Sequence, residues 1–419
     1  MKVALHTLGC KVNQYDSDLL LTKLVSAGYE VRNFNQIADI YIVNTCTVTH
    51  TGDKKSFQMI RRARRLNPDA FVAVCGCMPH SNEEIGDKII AAGADFVFDA
   101  RKPDDLFEKI KLTFTIDVPM TNMINNQRNR AFIKIHDGCN RYCSYCIVPY
   151  VRGPVTSRCH TDILTEIETH KQNGILEIVL TGIQVAAYGY DTGSDIVNLP
   201  KLINKIYEND NNLRIRISSI DPWAINNEFL SAVANTPTLC SHFHLSLQSG
   251  SNTILHNMNR RYTTTDYANV ANNLRNLRPN MALTTDIIVG FPGETDEDFE
   301  KSIQFAKEMA FAQIHVFEYS PRTGTKAASM SGHISEKLKA SRGQKMRDLA
   351  ANLKSTFLHK QIGKSFPVLF ETINQGHTTN YCIVHVKNAT QPNIINDIYI
   401  TGVTDEKLVG ISLKEATNK

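Results

Sequence analysis

The 419-residue sequence predicts an α/β protein in three blocks: an N-terminal parallel α/β sheet, a central (β/α)6 partial barrel and a small C-terminal all-β barrel. Three observations carry this reading. Short apolar runs alternate with helical periodicity through the first block. The alternation restarts near residue 131 and repeats through six strand–helix units. After about residue 361 the pattern changes to short strands joined by Gly, Asn and Thr turns. The expected domains are 1–115, 125–360 and 361–419. A length of this size allows about three domains at roughly 100–200 residues each.

In the first block VALHTL reads as a strand, and residues 17–27 have helical spacing. DIYIVNTC is an apolar run that breaks at Asn44, residues 54–66 read as a polar helix, and AFVAVCGC is another buried strand. Such alternation argues for a parallel sheet covered by helices. Cys10, Cys46 and Cys77 then stand at the carboxyl ends of strands, where open parallel sheets bind ligands. Pro119 and an Asn-rich stretch mark residues 115–130 as a linker. The central strands are AFIKIHDG, EIVLTGI, RIRISSID, HFHLSLQ, TTDIIVGF and QIHVFEYS, with helices between them, for example at 162–173 and 297–310. Function is expected at their carboxyl ends. A charged helix runs from about residue 331 to about 361. PVLFET, YCIVHVK and DIYITGVT are the strands of the last block.

With 42% hydrophobic and 21% charged residues, global disorder is excluded. No run approaches the ~18 apolar residues of a spanning helix. The start, MKVALHTLGC, lacks a secretory pattern. A cytoplasmic protein without a membrane partner is therefore expected. The net charge of +4, from 46 basic and 42 acidic residues, permits a nucleic-acid partner without demanding one. The ten cysteines are more informative. In a cytosolic chain of this size clustered thiols point to metal, redox or catalysis and away from disulfides.

Cys139, Cys143 and Cys146 lie in IHDGCNRYCSYCIVPYVRGP with the spacing Cys-x3-Cys-x2-Cys. Three thiolates hold three irons of a four-iron cluster. The next cysteine, Cys159, is thirteen residues on, which leaves one iron open to an exogenous ligand. A structural zinc is the weaker reading, because it usually takes four protein ligands. The loop follows the first barrel strand, where an active site belongs. This motif resembles that of the radical SAM superfamily. The resemblance implies that S-adenosylmethionine chelates the open iron through its amino and carboxylate groups. Reduction then cleaves the sulfonium to give a 5′-deoxyadenosyl radical. Cys139, Cys143 and Cys146 become the expected catalytic metal ligands.

Cys10 in HTLGCKVN, Cys46 in VNTCTVTHTGDKKS and Cys77 after Gly76 are either buried core cysteines or a second set of three ligands. These segments resemble the N-terminal domain of the methylthiotransferases. The resemblance implies an auxiliary four-iron cluster on Cys10, Cys46 and Cys77 that takes part in sulfur transfer. Cys75 competes for the third place, while Gly76 before Cys77 matches the family's Gly-Cys pattern. Met78 departs from the aromatic residue the family usually has there. Cys159, Cys240 and Cys382 have no metal spacing and read as structural.

Thr181 and Gly182, in LTGIQ, resemble the superfamily segment that contacts the methionyl amino group, with a strand-capping turn as the alternative. Ser246 and Gln248, in SLQSGS, suit the ribose and carboxylate of the cofactor. Gly290, in VGFPGET, permits close backbone approach to a ligand. Glu294 reads as a helix N-terminal charge in preference to a catalytic acid. Arg214 and Arg216 share one face of their strand, and Arg216 is expected on cofactor or RNA phosphate. The run Lys54, Lys55, Arg61, Arg62, Arg64 and Arg65 is either a solvated face or a phosphate contact. Lys54, Lys55, Arg61, Arg62 and Arg65 are the RNA candidates from it. The C-terminal block resembles a TRAM domain, which implies RNA contacts from turn residues such as His377 and Tyr381. A purely structural cap is the alternative.

The segments HTLGCKVN, NTCTVTHTGDKKS, RIRISS and FEYSPRTGTKAA resemble methylthiotransferases acting at C2 of N6-threonylcarbamoyladenosine beside the tRNA anticodon. Glu318 departs from the more usual Phe-Pro-Tyr-Ser. The resemblance implies two [4Fe–4S] clusters, two molecules of S-adenosylmethionine, a tRNA substrate and an electron-donor protein. Two other readings stand beside it. One is the same chemistry on isopentenyladenosine tRNA or a ribosomal-protein aspartate. The other is a non-enzymatic iron–sulfur RNA-binding protein.

Overall fold

The strands β1 (Lys2–Thr7), β2 (Glu30–Arg32), β3 (Ile40–Thr45), β4 (Phe71–Gly76) and β5 (Phe96–Val97) form one parallel sheet in the order β2-β1-β3-β4-β5. β3 (IYIVNT) is buried at every position, as a central strand covered on both faces must be. The helices are α1 (Lys11–Ser26), α2 (His50–Leu66), α3 (Ile85–Ala91) and α4 (Pro103–Thr113). α2 and α3 bury Ile60, Ala63 and Ile89 against one face of the sheet, and α1 and α4 bury Leu20, Leu24 and Ile110 against the other. α1 starts earlier than the helical run at 17–27, directly after Cys10. Val12 and Tyr15 extend the buried stripe of Leu20 and Leu24 toward the N-terminus. α2 also starts early, because the Thr49 side chain accepts the Gly52 N–H as its cap.

The computed structural model describes residues 1–99, 103–114, 129–193, 197–388 and 390–413. Most of the expected linker at 115–130 lies outside them. The chain divides into two compact units. One comprises Met1–Gln127, Asp137–Val155 and Ser320–Ser329; the other comprises Arg128–His136, Thr156–Tyr319 and Met330–Lys419. Among the described residues no helix is long and apolar enough to cross a membrane.

In the second unit β6 (Arg130–Lys134), β7 (Glu177–Thr181) and β8 (Arg214–Ile217) pair in the order β8-β7-β6. β9 (Ser219–Ile220), β10 (His242–Leu245), β11 (Ala282–Val289) and β12 (Gln313–Glu318) continue the series, all parallel. β8 and β9 are one run of chain interrupted at Ser218, which gives the six strand positions of a partial barrel. After α5 (Val148–Arg152), which belongs to the first unit, the intervening helices are α6 (His160–Gln172), α7 (Leu199–Asn209), α8 (Asn227–Asn235), α9 (Asn252–Asn257), α10 (Thr264–Leu277) and α11 (Asp296–Met309). α10 and α11 begin with capping boxes, Thr263 with Asp266 and Thr295 with Asp298. One face of the strands, with Phe243, Leu245, Ile287 and Ile314, joins the helices in the core. The other face carries Glu177, Arg216, His242 and Asp286.

The long helix α12 (Glu336–His359) leads to a closed barrel of β13 (Ser365–Phe370), β14 (Gln375–Thr378), β15 (Ile383–Val386), β16 (Ile395–Thr404) and β17 (Lys407–Ser412). Three of the five strands match the expected apolar runs; β14 is four residues of QGHT with no such signal, and β17 (KLVGIS) was not among the expected strands.

Glu177 joins this barrel to the parallel strands. Arg216 donates Nε–H and Nη2–H to the two Glu177 oxygens at 2.7 and 3.1 Å, and reaches the carbonyls of Thr378 and Thr379 at 3.2 and 3.1 Å. Arg214 lies 2.8 Å from the same carboxylate. Tyr381, in a left-handed turn at φ 66°, places its ring 4.5 Å from the Arg216 guanidinium and stacks on His377 at 5.0 Å. The expectation that Arg216 meets a cofactor or RNA phosphate is therefore corrected. A fully buried guanidinium needs a counter-charge, and Glu177 supplies it. His377 and Tyr381 are likewise turned to this joint, with His377 3.1 Å from Glu371 and Tyr381 also against His242.

Burial alone would raise the Glu177 carboxyl, but Arg216, Arg214 and Arg130 hold it at about 2 against an ordinary 4.5. The depressed value means that its stabilisation, about 3 kcal/mol, is complete above pH 4.5 and is lost as pH falls toward 2. Glu177→Gln leaves buried guanidinium groups unpaired and is expected to lower stability near neutrality by about 3–5 kcal/mol. Urea titrations followed through the sole tryptophan, Trp223, should show this loss at pH 7 and a shrinking difference from the parent protein below pH 4.5.

Candidate functional site

The order β2-β1-β3-β4-β5 reverses direction between β1 and β3, and ligands of open α/β sheets bind outside the carboxyl ends at such a point. Cys10 follows β1, Cys46 follows β3 and Cys77 follows β4. Gly9, at φ +103°, lets the first two approach. A Cβ added there would lie 3.0 Å from the Cys46 Cβ and 3.3 Å from its Sγ. The Asn13 Nδ2 group donates to the carbonyls of Leu8 at 2.7 Å and Thr45 at 2.9 Å, tying the chain ahead of Cys10 to the chain ahead of Cys46. Its Oδ1 lies 3.9 Å from Cys10 Sγ and 4.0 Å from Cys77 Sγ. Gly76, at φ +94°, has no room for a Cβ against Thr45, and the Cys77 N–H donates to the Thr45 carbonyl at 3.0 Å.

Cys75 and Cys77 separate clearly. Cys75 lies in the strand and packs with the apolar cluster of Val3, Leu20 and Ile42. Cys77 packs with Ile147 and Val151 and is close enough to Cys10 and Cys46 for their charges to interact. Burial pushes the Cys75 thiol up to about 12 and the Cys77 thiol to about 11, the latter opposed by the Arg152 guanidinium. Burial also raises the Cys46 thiol, which Arg322 opposes. Arg322 donates to Thr47 at 2.7 Å and to Asp53 at 2.6 Å.

Cys139, Cys143 and Cys146 share one short loop. The loop closes because Gly138, at φ +72°, passes within 1.9 Å, measured from an added Cβ, of the Pro154 carbonyl oxygen. The Cys139 N–H donates to Gly153 at 3.0 Å, and the Cys146 N–H to Cys143 at 2.9 Å. The Arg141 N–H points at the Cys139 sulfur at 3.4 Å. Ser144 accepts from the Ala327 N–H at 2.7 Å.

Arg152 ends α5, six residues beyond Cys146, and its side chain is fully buried. Nε–H donates to Cys77 Sγ at 3.4 Å; Nη1 meets Asp16 at 3.1 Å and Asp137 at 2.9 Å; Nη2 donates to Asn13 Oδ1. Neither Arg152 nor Asn13 stands out in the sequence. The one available signal is an arginine just after an apolar turn in a cysteine loop.

In the second unit Thr181 is buried at the end of β7, and an added Cβ on Gly182 would strike the His136 ring at 2.6 Å. Ser246 Oγ meets Ser219 Oγ at 2.8 Å, and Gln248, at φ +74°, donates its N–H to Asp286 at 2.9 Å. These four lie at carboxyl ends of strands. Sequence reading missed Asp221 beside them, buried between Arg260 at 2.9 Å and Gln184 at 3.1 Å. Gly290 is a correction. A Cβ there would fall 2.2 Å from Lys339 Cγ, so its close approach is to the Lys339 stem of α12 and not to a ligand. Glu294 accepts from the Gly290 N–H and from Arg342, both at 2.7 Å.

The uncharacterized protein family UPF0004 matches residues 2–98 and the radical SAM superfamily matches residues 133–306. Threonylcarbamoyladenosine tRNA methylthiotransferase MtaB of Bacillus subtilis is 36% identical over 410 residues, covering 92% of this chain and 90% of that protein. The chain belongs to the radical SAM methylthiotransferase family. The Aquifex aeolicus protein of the same name is also 36% identical, over 91% of this chain and 95% of its own. A tRNA-2-methylthio-N(6)-dimethylallyladenosine synthase of Caldicellulosiruptor saccharolyticus is 34% identical, over 91% and 86%. The fold also matches a solved radical S-adenosylmethionine methyltransferase, TsrM of Kitasatospora setae. The TM-score is 0.57 at 17% identity, covering 78% of this chain and 77% of that one.

Membership makes this methylthiotransferase an enzyme that uses S-adenosylmethionine and a [4Fe–4S] cluster, which displaces the non-enzymatic reading. The thiols fit a cluster better than a single ion. Among the described residues the one trio with ligand atoms within 4.8 Å of one another is His244, Asp286 and His315, where His244 pairs with Asp286 at 3.3 Å. A single zinc at about 2.3 Å from each sulfur would draw three thiols tighter than that limit. Neither cysteine set is so gathered.

On α2 the side chains of Lys54, Lys55, Arg61, Arg62 and Arg65 are exposed. Arg64 differs, because it caps Gly93, Pro68 and Ala70 carbonyls and pairs with Asp95 at 2.6 Å. Asn13→Ala removes the amide that ties two strand ends, taking one donor from the Leu8 carbonyl and one of two from the Thr45 carbonyl. It is expected to cost about 2–4 kcal/mol, read as a lower denaturation midpoint of the purified protein.

Proposed function

We propose that this enzyme inserts a methylthio group at C2 of N6-threonylcarbamoyladenosine, beside the anticodon of tRNA. The observation that carries this is the near full-length match, at 33–36% identity, to relatives named threonylcarbamoyladenosine tRNA methylthiotransferase from Bacillus subtilis, Aquifex aeolicus and Thermotoga maritima. When bound, the two [4Fe–4S] clusters and two molecules of S-adenosylmethionine supply the methyl group, which goes to a sulfur associated with the second cluster, and the radical that removes the C2 hydrogen.

The chain's own residues divide the work. Cys139, Cys143 and Cys146 hold the cluster that binds S-adenosylmethionine, and their loop offers no fourth thiolate. Cys10, Cys46 and Cys77 hold the second cluster. Thr181, Gly182, Ser246 and Gln248 orient the cofactor from strand ends. Lys54, Lys55, Arg61, Arg62 and Arg65 meet tRNA phosphate, which supplies salt-dependent affinity without reading sequence. The domains remain 1–115, 125–360 and 361–419 in this reading. The enzyme works in the cytoplasm with a separate electron-donor protein.

Anaerobic reconstitution followed by S-adenosylmethionine, reductant and tRNA, with nucleoside mass spectrometry, tests the substrate. A methylthio product on threonylcarbamoyladenosine is expected; a product on dimethylallyladenosine or a ribosomal-protein aspartate instead would overturn it. Iron analysis tests the ligands. Cys10→Ala and Cys139→Ala should each lose about half the iron of two four-iron clusters. Cys77→Ala should lose as much, and Cys75→Ala none.

A further inference from the structure

Arg152 carries chemistry that the reading above does not use. Its side chain is 0% exposed, and every face of the guanidinium meets a partner within the first unit. Two partners are carboxylates, Asp16 and Asp137; one is the Asn13 amide oxygen; the fourth is the sulfur of Cys77. A structural arginine needs carboxylates and carbonyls. It does not need a thiol, which is a poor acceptor until it loses its proton. A thiolate bound to iron is a different partner. It carries negative charge that a buried N–H and a full positive charge stabilise.

The position of Arg152 adds a second argument. Asp137 stands two residues before Cys139, and Arg152 stands six after Cys146. Their contact at 2.9 Å closes the chain on both sides of the three loop cysteines. The same guanidinium meets Asn13, whose amide holds the chain ahead of Cys10 and Cys46. One side chain therefore touches the frames of both cysteine sets.

We propose that Arg152 is a positioning residue for the second cluster: its Nε–H to Cys77 Sγ raises the reduction potential of the iron that Cys77 holds, and its contact with Asp137 fixes that ligand against the Cys139–Cys146 loop. This rests on the reading of Cys10, Cys46 and Cys77 as cluster ligands. Hydrogen bonds to cluster sulfurs and nearby positive charge favour the reduced, more negative form. Losing them lowers the potential. Losing the Asp16 carboxylate removes a negative charge from the same pocket and raises it. The two changes have opposite signs, which a purely structural role does not produce.

The test uses the full chain with Cys139, Cys143 and Cys146 all changed to Ala, so that only the second cluster loads. Its potential is read by redox titration followed by electron paramagnetic resonance. Arg152→Gln is expected to lower the potential, Arg152→Lys to fall between Gln and Arg, and Asp16→Asn to raise it. If the triple-Ala protein holds no iron, the two-cluster reading fails. If it loads iron and the potential is unchanged in Gln, or shifts the same way in Gln and Asn, the role of Arg152 is overturned. Should Arg152→Gln fail to fold, Arg152→Lys and Asp16→Asn decide the matter by the same signs.

Discussion

Asn13 gives both hydrogens of its amide to main-chain carbonyls, Leu8 on one strand end and Thr45 on its neighbour. Parallel strands leave their terminal carbonyls unpaired where the chain turns away, and a buried unpaired carbonyl is costly. Filling both with one side chain fixes the spacing of the segments that carry Cys10 and Cys46. The amide oxygen then faces inward, where Arg152 meets it. The glycines at 9 and 76 follow from the same constraint, since the chain can come this close only where there is no Cβ. The amide adds to the strand pairing and to the Cys77 N–H on the Thr45 carbonyl in holding these three segments together.

A comparable joint organises the second unit. Glu177 gathers three guanidinium groups at the start of β7, and Arg216 continues from it to the carbonyls of Thr378 and Thr379. Buried charge thereby ties the C-terminal barrel to the parallel strands, beside the apolar packing of Phe357 and Leu358 of α12 into its core. Breaking one partner of such a set costs more than the set contributes. His377 and Tyr381 contribute to this joint, Tyr381 with part of its ring still exposed.

What was legible in the sequence follows from whether the signal is local. The cysteine loop is readable because its spacing is its geometry. The strand β3 is readable because a strand buried on both faces is mostly apolar. β14 was missed because a four-residue barrel strand has no periodicity to show. Arg216 and Gly290 were misassigned for a shared reason. Sequence shows that a buried cation or a tight glycine requires a partner, but the partners, Glu177 and Lys339, come from other elements. Arg152 was missed because three of its four partners, Asn13, Asp16 and Cys77, lie more than seventy residues away in the sequence.

The two cysteine sets differ in how much of the fold they depend on. Cys139, Cys143 and Cys146 lie within eight residues, closed by main-chain bonds between Cys139 and Gly153. Little chain entropy remains to be lost when such a loop binds iron. Cys10, Cys46 and Cys77 come together only after β1, β3 and β4 have paired. Metal affinity at a site assembled this way includes the folding free energy of the sheet. On the proposed reading of Cys10, Cys46 and Cys77 as cluster ligands, the dispersed set is the one whose iron affinity falls with a mutation that weakens the N-terminal sheet, even one far from the thiols. The loop set depends on the sheet less directly, through the contacts of Arg152 with Asn13, Asp16 and Cys77.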